Sequence, residues 1–508
     1  MSLLRLPPEL VYEVADHLSN MNCLHLSMTC RQLRMYLVPR IFWSACITSD
    51  EKITKSEMPA VHRVGHHIKE LIFLDPPELD PNDYHEANRD SERENTTTHI
   101  KNLICWDPAT DNSGYDEANG DAESENTTTW TELDNKDIDS PRDFNAAGVT
   151  NRGRSMLPSS SLRQLLEGRT LLPNLQYLVI LFTEFYNRDT LEYIRTRPWW
   201  CDGYVEDRSQ LLQIENKCNR LRYLRDLYDA IALNTSVSNL EIDGWYPFGA
   251  TSFYTQNWRS FLGRLETFRI KTAGESAGWL EEVAWYPLSN KGYRNEVGKM
   301  GMYFFDHLTR VKTLSFVASR GAPVGLKGEH HIPLPFKPDS LPALQKLELS
   351  IIFIGPELVE FIQNHKSLRT IILNDVYAAS PKSMATNRLS WREFFDALRA
   401  ADLGLKKFGL IGETKLCERT RQHEQADTGE HGAMDAGSEE DGDWVLRSER
   451  IWAVLKEDTV RRLFPYGGLV WPEGCVGGFP KDSVEAFEQG YDQAAYDKFK
   501  DRYGITEI

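Results

Sequence analysis

The chain has 508 residues, which at roughly 100–200 residues per domain suggests about three domains, or one long repeat array with appendages. Apolar residues make up 41 %, enough for a sizeable core, yet no run approaches the roughly 18 apolar residues of a membrane-spanning helix, so no membrane partner is expected. Eight cysteines are scattered without a CxxC pair, which argues against a disulfide scaffold or a cysteine zinc site and fits a reducing compartment, cytoplasm or nucleus. The net charge of −17 is concentrated: residues 75–143 hold 20 acidic against 5 basic side chains, and residues 423–443 hold 8 acidic and none basic. The rest of the chain is left at +6.

The start, MSLLRLPPELVYEVADHL, lacks a basic stretch followed by an unbroken apolar run, so no signal peptide is expected. Pro8 suits the first turn of a helix, because that turn leaves its donors unpaired in any case. Leu10, Val14 and Leu18 then recur at i, i+4 and i+8 as one apolar stripe. Ser19 or Asn20 is placed to cap a second short helix carrying Cys23, Leu24, Leu26 and Met28. Leu33, Met35, Tyr36 and Leu37 predict a third, stopped before Pro39. Three such helices make a core too small to stand alone and should lean on a partner.

In order and spacing these residues resemble the F-box. The matching positions are Leu6-Pro7 with Glu9-Leu10, the ladder to Leu18, Leu24 and Leu26, Thr29-Cys30-Arg31 leading into Leu33-Arg34, and Trp43 as the closing residue. Asn20 and Asn22 stand where aspartate is common; both can cap. The resemblance implies a three-helix module over 1–47 that binds a Skp-family adaptor, and through it a cullin. The implied adaptor-binding residues are Leu6, Pro7, Glu9, Leu10, Val14, Leu18, Leu24, Leu26, Cys30, Leu33 and Trp43. The remainder is similar to fungal F-box proteins with degenerate leucine-rich repeats, including the WREFFDAL helix at 391–398.

Residues 68–98 and 100–129 look like a tandem duplication of one strand plus one acidic loop. Their acidic parts, 75–98 and 107–143, are expected to be mobile insertions, because they hold few large apolar residues. A pattern apolar-x-x-apolar-x-apolar recurs along the body, 60–415. It reads Ile68-Leu71-Phe73, Ile100-Leu103-Cys105, Leu175-Leu178-Ile180, Val237-Leu240-Ile242, Leu265-Phe268-Ile270, Val311-Leu314-Phe316, Leu344-Leu347-Leu349, Leu368-Ile371-Leu373 and Leu405-Phe408-Leu410. Helical segments precede several copies, and helix, turn, short strand is the unit of a leucine-rich-repeat array. An ordinary α/β domain with buried strands gives the same pattern. Residues 423–443 read as an acidic linker. In 444–508 one helix is expected over 448–464. Another, over 483–503, carries Phe487, Tyr491, Ala494, Ala495 and Phe499 on one face for docking on the body.

Gly274-Glu275-Ser276-Ala277-Gly278 matches the GxSxG nucleophile elbow. No HGGG-type oxyanion segment lies upstream, although His307, His330, His331 and His365 follow. It reads as a connecting turn, and no catalytic residue is assigned. The pairs His66-His67 and His330-His331 lack metal-binding spacing, since on a strand such neighbours would point apart, and they read as surface or turn histidines. No phosphate-binding glycine loop occurs. No metal, cofactor or nucleic-acid partner is therefore expected. Trp199, Trp200, Trp245 and Trp285 sit beside prolines, as client-binding anchors or as loop anchors. The client is expected near the strand face, with an acidic or phosphorylated segment meeting Arg and Lys.

The combined expectation is an α/β chain: a three-helix F-box, then an irregular leucine-rich-repeat-like solenoid with acidic disordered insertions. Its expected role is that of a non-enzymatic substrate receptor in a cullin–RING ubiquitin ligase. A serine hydrolase using Ser276, or an F-box scaffold working without a cullin, are the alternatives.

Overall fold

The computed structural model describes residues 7–18, 20–48, 58–75, 98–99, 160–167, 171–182, 208–274, 288, 291–328, 330–381, 383, 385–411, 447, 450–451, 453–455, 457, 461–470, 475–478 and 480–507. Most of the duplicated acidic stretch, the acidic linker, Leu6, Trp199, Trp200, Ser276 and Trp285 lie outside them.

The fold is mixed α/β, built on a large parallel sheet. Its strands are β1 (Ser44–Thr48), β2 (Glu70–Asp75), β3 (Thr98–His99), β4 (Tyr177–Phe182), β5 (Asn239–Trp245), β6 (Thr267–Thr272), β7 (Thr313–Val317), β8 (Lys346–Ser350), β9 (Thr370–Asn374), β11 (Lys407–Ile411) and β14 (Thr506–Glu507). They lie in the order β14-β11-β9-β8-β7-β6-β5-β4-β2-β1-β3. From β4 to β9 each strand pairs with the next one in the chain. A small second sheet joins β10 (Ala378–Ala379), β12 (Tyr466–Val470) and β13 (Cys475–Gly478).

Eight of the nine sequence patterns fall on consecutive strands of the large sheet; the ninth, at 100–105, is outside the described residues. Their second apolar positions stand side by side in register: Leu71, Leu178, Leu240, Phe268, Leu314, Leu347, Ile371 and Phe408. All are buried, as are the leading residues from Ile68 to Leu405. The pattern is therefore a statement about one shared core. Its apolar row continues from strand to strand and merges with buried residues of the intervening helices, such as Leu227 of Asn219–Ala232 and Phe261 of Gln256–Leu262.

A backbone device repeats with the pattern. The Trp43 carbonyl accepts from the N–H groups of both Lys69 (2.9 Å) and Glu70 (3.1 Å). Lys69, Gln176, Ser238, Glu266, Lys312, Gln345 and Arg369 each do the same for the next strand start. A carbonyl has two lone pairs, so one residue per strand fixes the register of its neighbour. The chain of acceptors runs unbroken from Trp43 to Arg369.

Two helix boundaries differ from the sequence reading. The third N-terminal helix continues past Pro39 to Ile41; the ring falls in the last turn, where few further intrahelical bonds remain to be lost. The C-terminal helix is two, Pro480–Gln489 and Tyr491–Tyr503, divided by Gly490 at φ 68. Glycine adopts this left-handed conformation without steric cost. The expected single apolar face is thereby split. Ala495 and Phe499 are buried and Phe487 packs in a separate small cluster, while Tyr491 is 57 % exposed. The second of these helices lies on Trp391–Ala400: Phe395 meets Tyr496 at 5.0 Å between ring centroids, and the Tyr503 hydroxyl donates to the Leu398 carbonyl at 2.9 Å.

Candidate functional site

The N-terminal module consists of α1 (Pro8–Asp16), α2 (Asn20–Thr29) and α3 (Arg31–Ile41). Its core is built from Val11 and Ala15 of α1, Cys23 of α2, and Leu33, Leu37 and Ile41 of α3, all at most 4 % exposed. The i, i+4, i+8 spacing of the last three puts one face of α3 inward. The Cys23 thiol donates to the Ala15 carbonyl at 3.6 Å, closing α2 on α1. Cys30 caps α3, its sulfur accepting from the Leu33 N–H at 3.4 Å. The chain then runs from α3 through Phe42 and Trp43 directly into β1, so the module is joined to the sheet without a linker.

What this packing leaves outside is apolar. Leu10, Tyr12 and Val14 of α1 are 42 %, 41 % and 39 % exposed, Met28 and Met35 are 55 % and 61 %, and Trp43 is 38 %. These six are more than half of the eleven large hydrophobic side chains exposed among the described residues. Exposed apolar surface concentrated in so short a stretch marks an interaction site. The sequence stripe Leu10-Val14-Leu18 thus faces mainly outward, and the parallel stripe Val11-Ala15 makes the core.

The adaptor-binding residues named from the sequence therefore divide. Pro7, Glu9, Leu10, Val14 and Trp43 are exposed, and Lys69 holds its ammonium 4.3 Å above the Trp43 ring. Leu18, Leu26 and Cys30 are half-buried against the core. Leu33 is buried, so it supports the module from within and presents no surface. Leu24 lies in α2, and Leu6 precedes the described residues. Tyr12, Met28 and Met35 join the exposed set although the sequence did not select them; apolar residues lying off the buried stripes were the available signal.

The expected client anchors fare differently. Trp245 is 1 % exposed and packs edge-on to Phe304 at 5.4 Å. It belongs to the core and offers no surface to a client, which corrects the expectation for this residue. Trp199, Trp200 and Trp285 fall outside the described residues, as does Ser276 of the GxSxG motif. On the outward face of the sheet the charges are largely matched: Arg269 lies 3.9 Å from both Glu241 and Glu348, and Lys271 lies 3.4 Å from Asp243. The mildly basic balance of the body is not expressed there.

The histidine pairs are also placed. His66 and His67 sit in the 3-10 turn Gly65–His67 with ring centroids 3.7 Å apart, as expected of turn histidines. Burial, aided by His66, lowers the pKa of His67. No group of three metal-ligating side chains occurs among the described residues.

Comparison with known families finds an F-box domain at residues 3–44. The match covers α1 to α3 and ends on the first residue of β1. No curated protein matches the chain.

Proposed function

We propose that the chain is the substrate-recognition subunit of a Skp–cullin–F-box ubiquitin ligase, working in the cytoplasm or nucleus. The observation that carries this reading is the F-box domain at residues 3–44, with apolar Leu10, Val14, Met28, Met35 and Trp43 left uncovered. F-box domains generally bind Skp-family adaptors, and F-box proteins are generally non-catalytic. The body that follows, residues 60–415, is leucine-rich-repeat-like in this reading: its apolar pattern repeats strand by strand in register, with one carbonyl acceptor per strand start. It holds the client. The work done is proximity: a client lysine kept near a ubiquitin-charged enzyme reacts as if at high effective concentration. The direct passage from α3 into β1 supports the reading, because a rigid joint keeps a bound client at a fixed place relative to the adaptor.

The test separates surface from core. Leu10→Ala combined with Val14→Ala should abolish co-purification of a Skp-family adaptor, since truncating central interface anchors costs upwards of ~2 kcal/mol each. Thermal stability should stay near wild type. Val11→Ala, a buried truncation, should lower stability by about 1–2 kcal/mol. If the double variant captures the adaptor as well as the wild type does, the reading fails.

A further inference from the structure

The ends of β7, β8, β9 and β11 at which the strands begin carry a run of cations. Lys312, Gln345, Arg369 and Lys406 stand in the row just before these strands, and Thr313, Lys346, Thr370 and Lys407 in the first register row. Adjacent strands lie about 4.8 Å apart, so these groups form a continuous rim. Two of the cations are matched: Lys312 lies 2.9 Å from Glu266, and Lys346 lies 3.5 Å from Glu348.

The others are not. Lys406 and Lys407 are exposed and make no ion pair among the described residues. Arg369 is exposed too, but it is oriented: its Nη1 donates to the carbonyls of Lys366 and Gly404, each at 3.0 Å. A side chain at position 404 would collide with that nitrogen, a Cβ lying 1.6 Å from it, so the glycine makes room for the guanidinium. Lys366 donates to the Asp402 carbonyl at 2.8 Å. Beside it opens a shallow cleft of about 590 Å³ lined by Asp339, His365, Lys366 and Ser367 among others. The exposed carboxylates of Asp339 and Asp402 thus accompany four cations that no carboxylate pairs among the described residues.

We propose that this rim is a docking surface for a carboxylate-rich segment of a partner protein. The proposal rests on reading the chain as a client receptor and moves the client's acidic contact from the outward sheet face to the rim. A guanidinium already held by backbone carbonyls loses little freedom when a carboxylate meets its remaining donors, and such charge-assisted bonds are the strong ones. A protein segment fits better than a nucleic acid. No exposed aromatic side chain lies on β7, β8, β9 or β11 to stack a base.

The full-length chain can be tested by fluorescence anisotropy with a labelled glutamate-rich peptide and a glutamine-rich peptide of the same length. The glutamate peptide should bind in a salt-sensitive manner and the glutamine peptide should not. Replacing Arg369, Lys406 and Lys407 together by Gln should weaken binding at least about tenfold. The milder pair Lys406→Gln and Lys407→Gln, which removes no side-chain bond among the described residues, should weaken it in the same direction. Arg399→Gln with Lys498→Gln, a cationic control where the helix Trp391–Ala400 meets the C-terminal helix, should leave it unchanged. Equal losses in the control and rim variants, or no loss in either rim variant, overturn the proposal. So does tighter binding of a single-stranded RNA of equal charge, or binding that emerges only after deletion of residues 423–443, which would give the rim to the chain's own acidic segment. Adaptor co-purification of the same variants is a separate readout: its failure with peptide binding intact sinks the F-box reading alone.

Discussion

Asp75 closes β2 and meets Arg220 in a buried bidentate pair, the two side chains only 3 % and 10 % exposed. Arg220→Met should cost about 3–5 kcal/mol by urea denaturation, because it strands a buried carboxylate, and adding Asp75→Leu should recover much of the loss. Glu215 is a different case. It accepts from the Thr251 N–H and hydroxyl, both at 2.6 Å, yet burial dominates and raises its pKa. The folded chain then holds a proton that the unfolded chain releases near pH of about 4. Its contribution to stability is fully present below that pH and is lost as pH rises through the raised value. The stability of the wild type minus that of Glu215→Gln should therefore fall as pH rises across this window; a flat difference would show that the carboxyl titrates alike in both states. At this scale the sequence was least legible. Trp245 beside a proline looks the same whether it anchors a loop, meets a client or fills a core. Arg220 and Asp75 are 145 positions apart, beyond any local pattern.

Among the elements, the strands were the most legible, because each one carries its own burial signal. Two residues in every six point to the core, with a third just before the strand, and the spacing survives whatever length of chain intervenes. The helices were less so. Leu10-Val14-Leu18 and Val11-Ala15 are both apolar stripes, and only packing decides which of them is covered. Gly490 was passed over because the apolar spacing on its two sides happens to fit one helix. The helix Trp391–Ala400 shows what local sequence does specify: Ser390 and Glu393 cap it reciprocally, at 3.2 and 2.8 Å, and Trp391, Phe394, Phe395 and Leu398 turn inward. Its attachment to the C-terminal helix runs through Asp492, which accepts from the Arg392 N–H at 2.8 Å and the Tyr466 hydroxyl at 2.9 Å. Asp492→Ala leaves both donors without that acceptor and should cost about 2 kcal/mol or more, measured by thermal unfolding. An unchanged melting temperature would show that the C-terminal helix is held by its aromatic contacts alone.

For the whole molecule, the sheet order means that most strands touch only the strand before and the strand after. Stability in such an arrangement accumulates from neighbouring pairs. Amide hydrogen exchange should be slowest in β5 to β8, flanked on both sides, and fastest in the two-residue edge strands β3 and β14; uniform protection across the sheet would contradict this. The same order has a consequence for synthesis. As the chain leaves the ribosome, nearly every new strand finds its partner already in place. Two free sides wait long: that of β11 for β14 through residues 412–505, and, longest, that of β2, which must await β4 while residues 76–176 are made. That is about a hundred residues, or roughly 5–20 s of translation. During the wait β2 offers an unpaired edge, the kind of surface on which nascent chains aggregate. Most of the acidic excess in the sequence lies within this interval, and a dense like charge beside an open edge repels other chains. Neutralising the acids of 76–143 to their amides should leave the finished protein as stable as before but lower its soluble yield during translation.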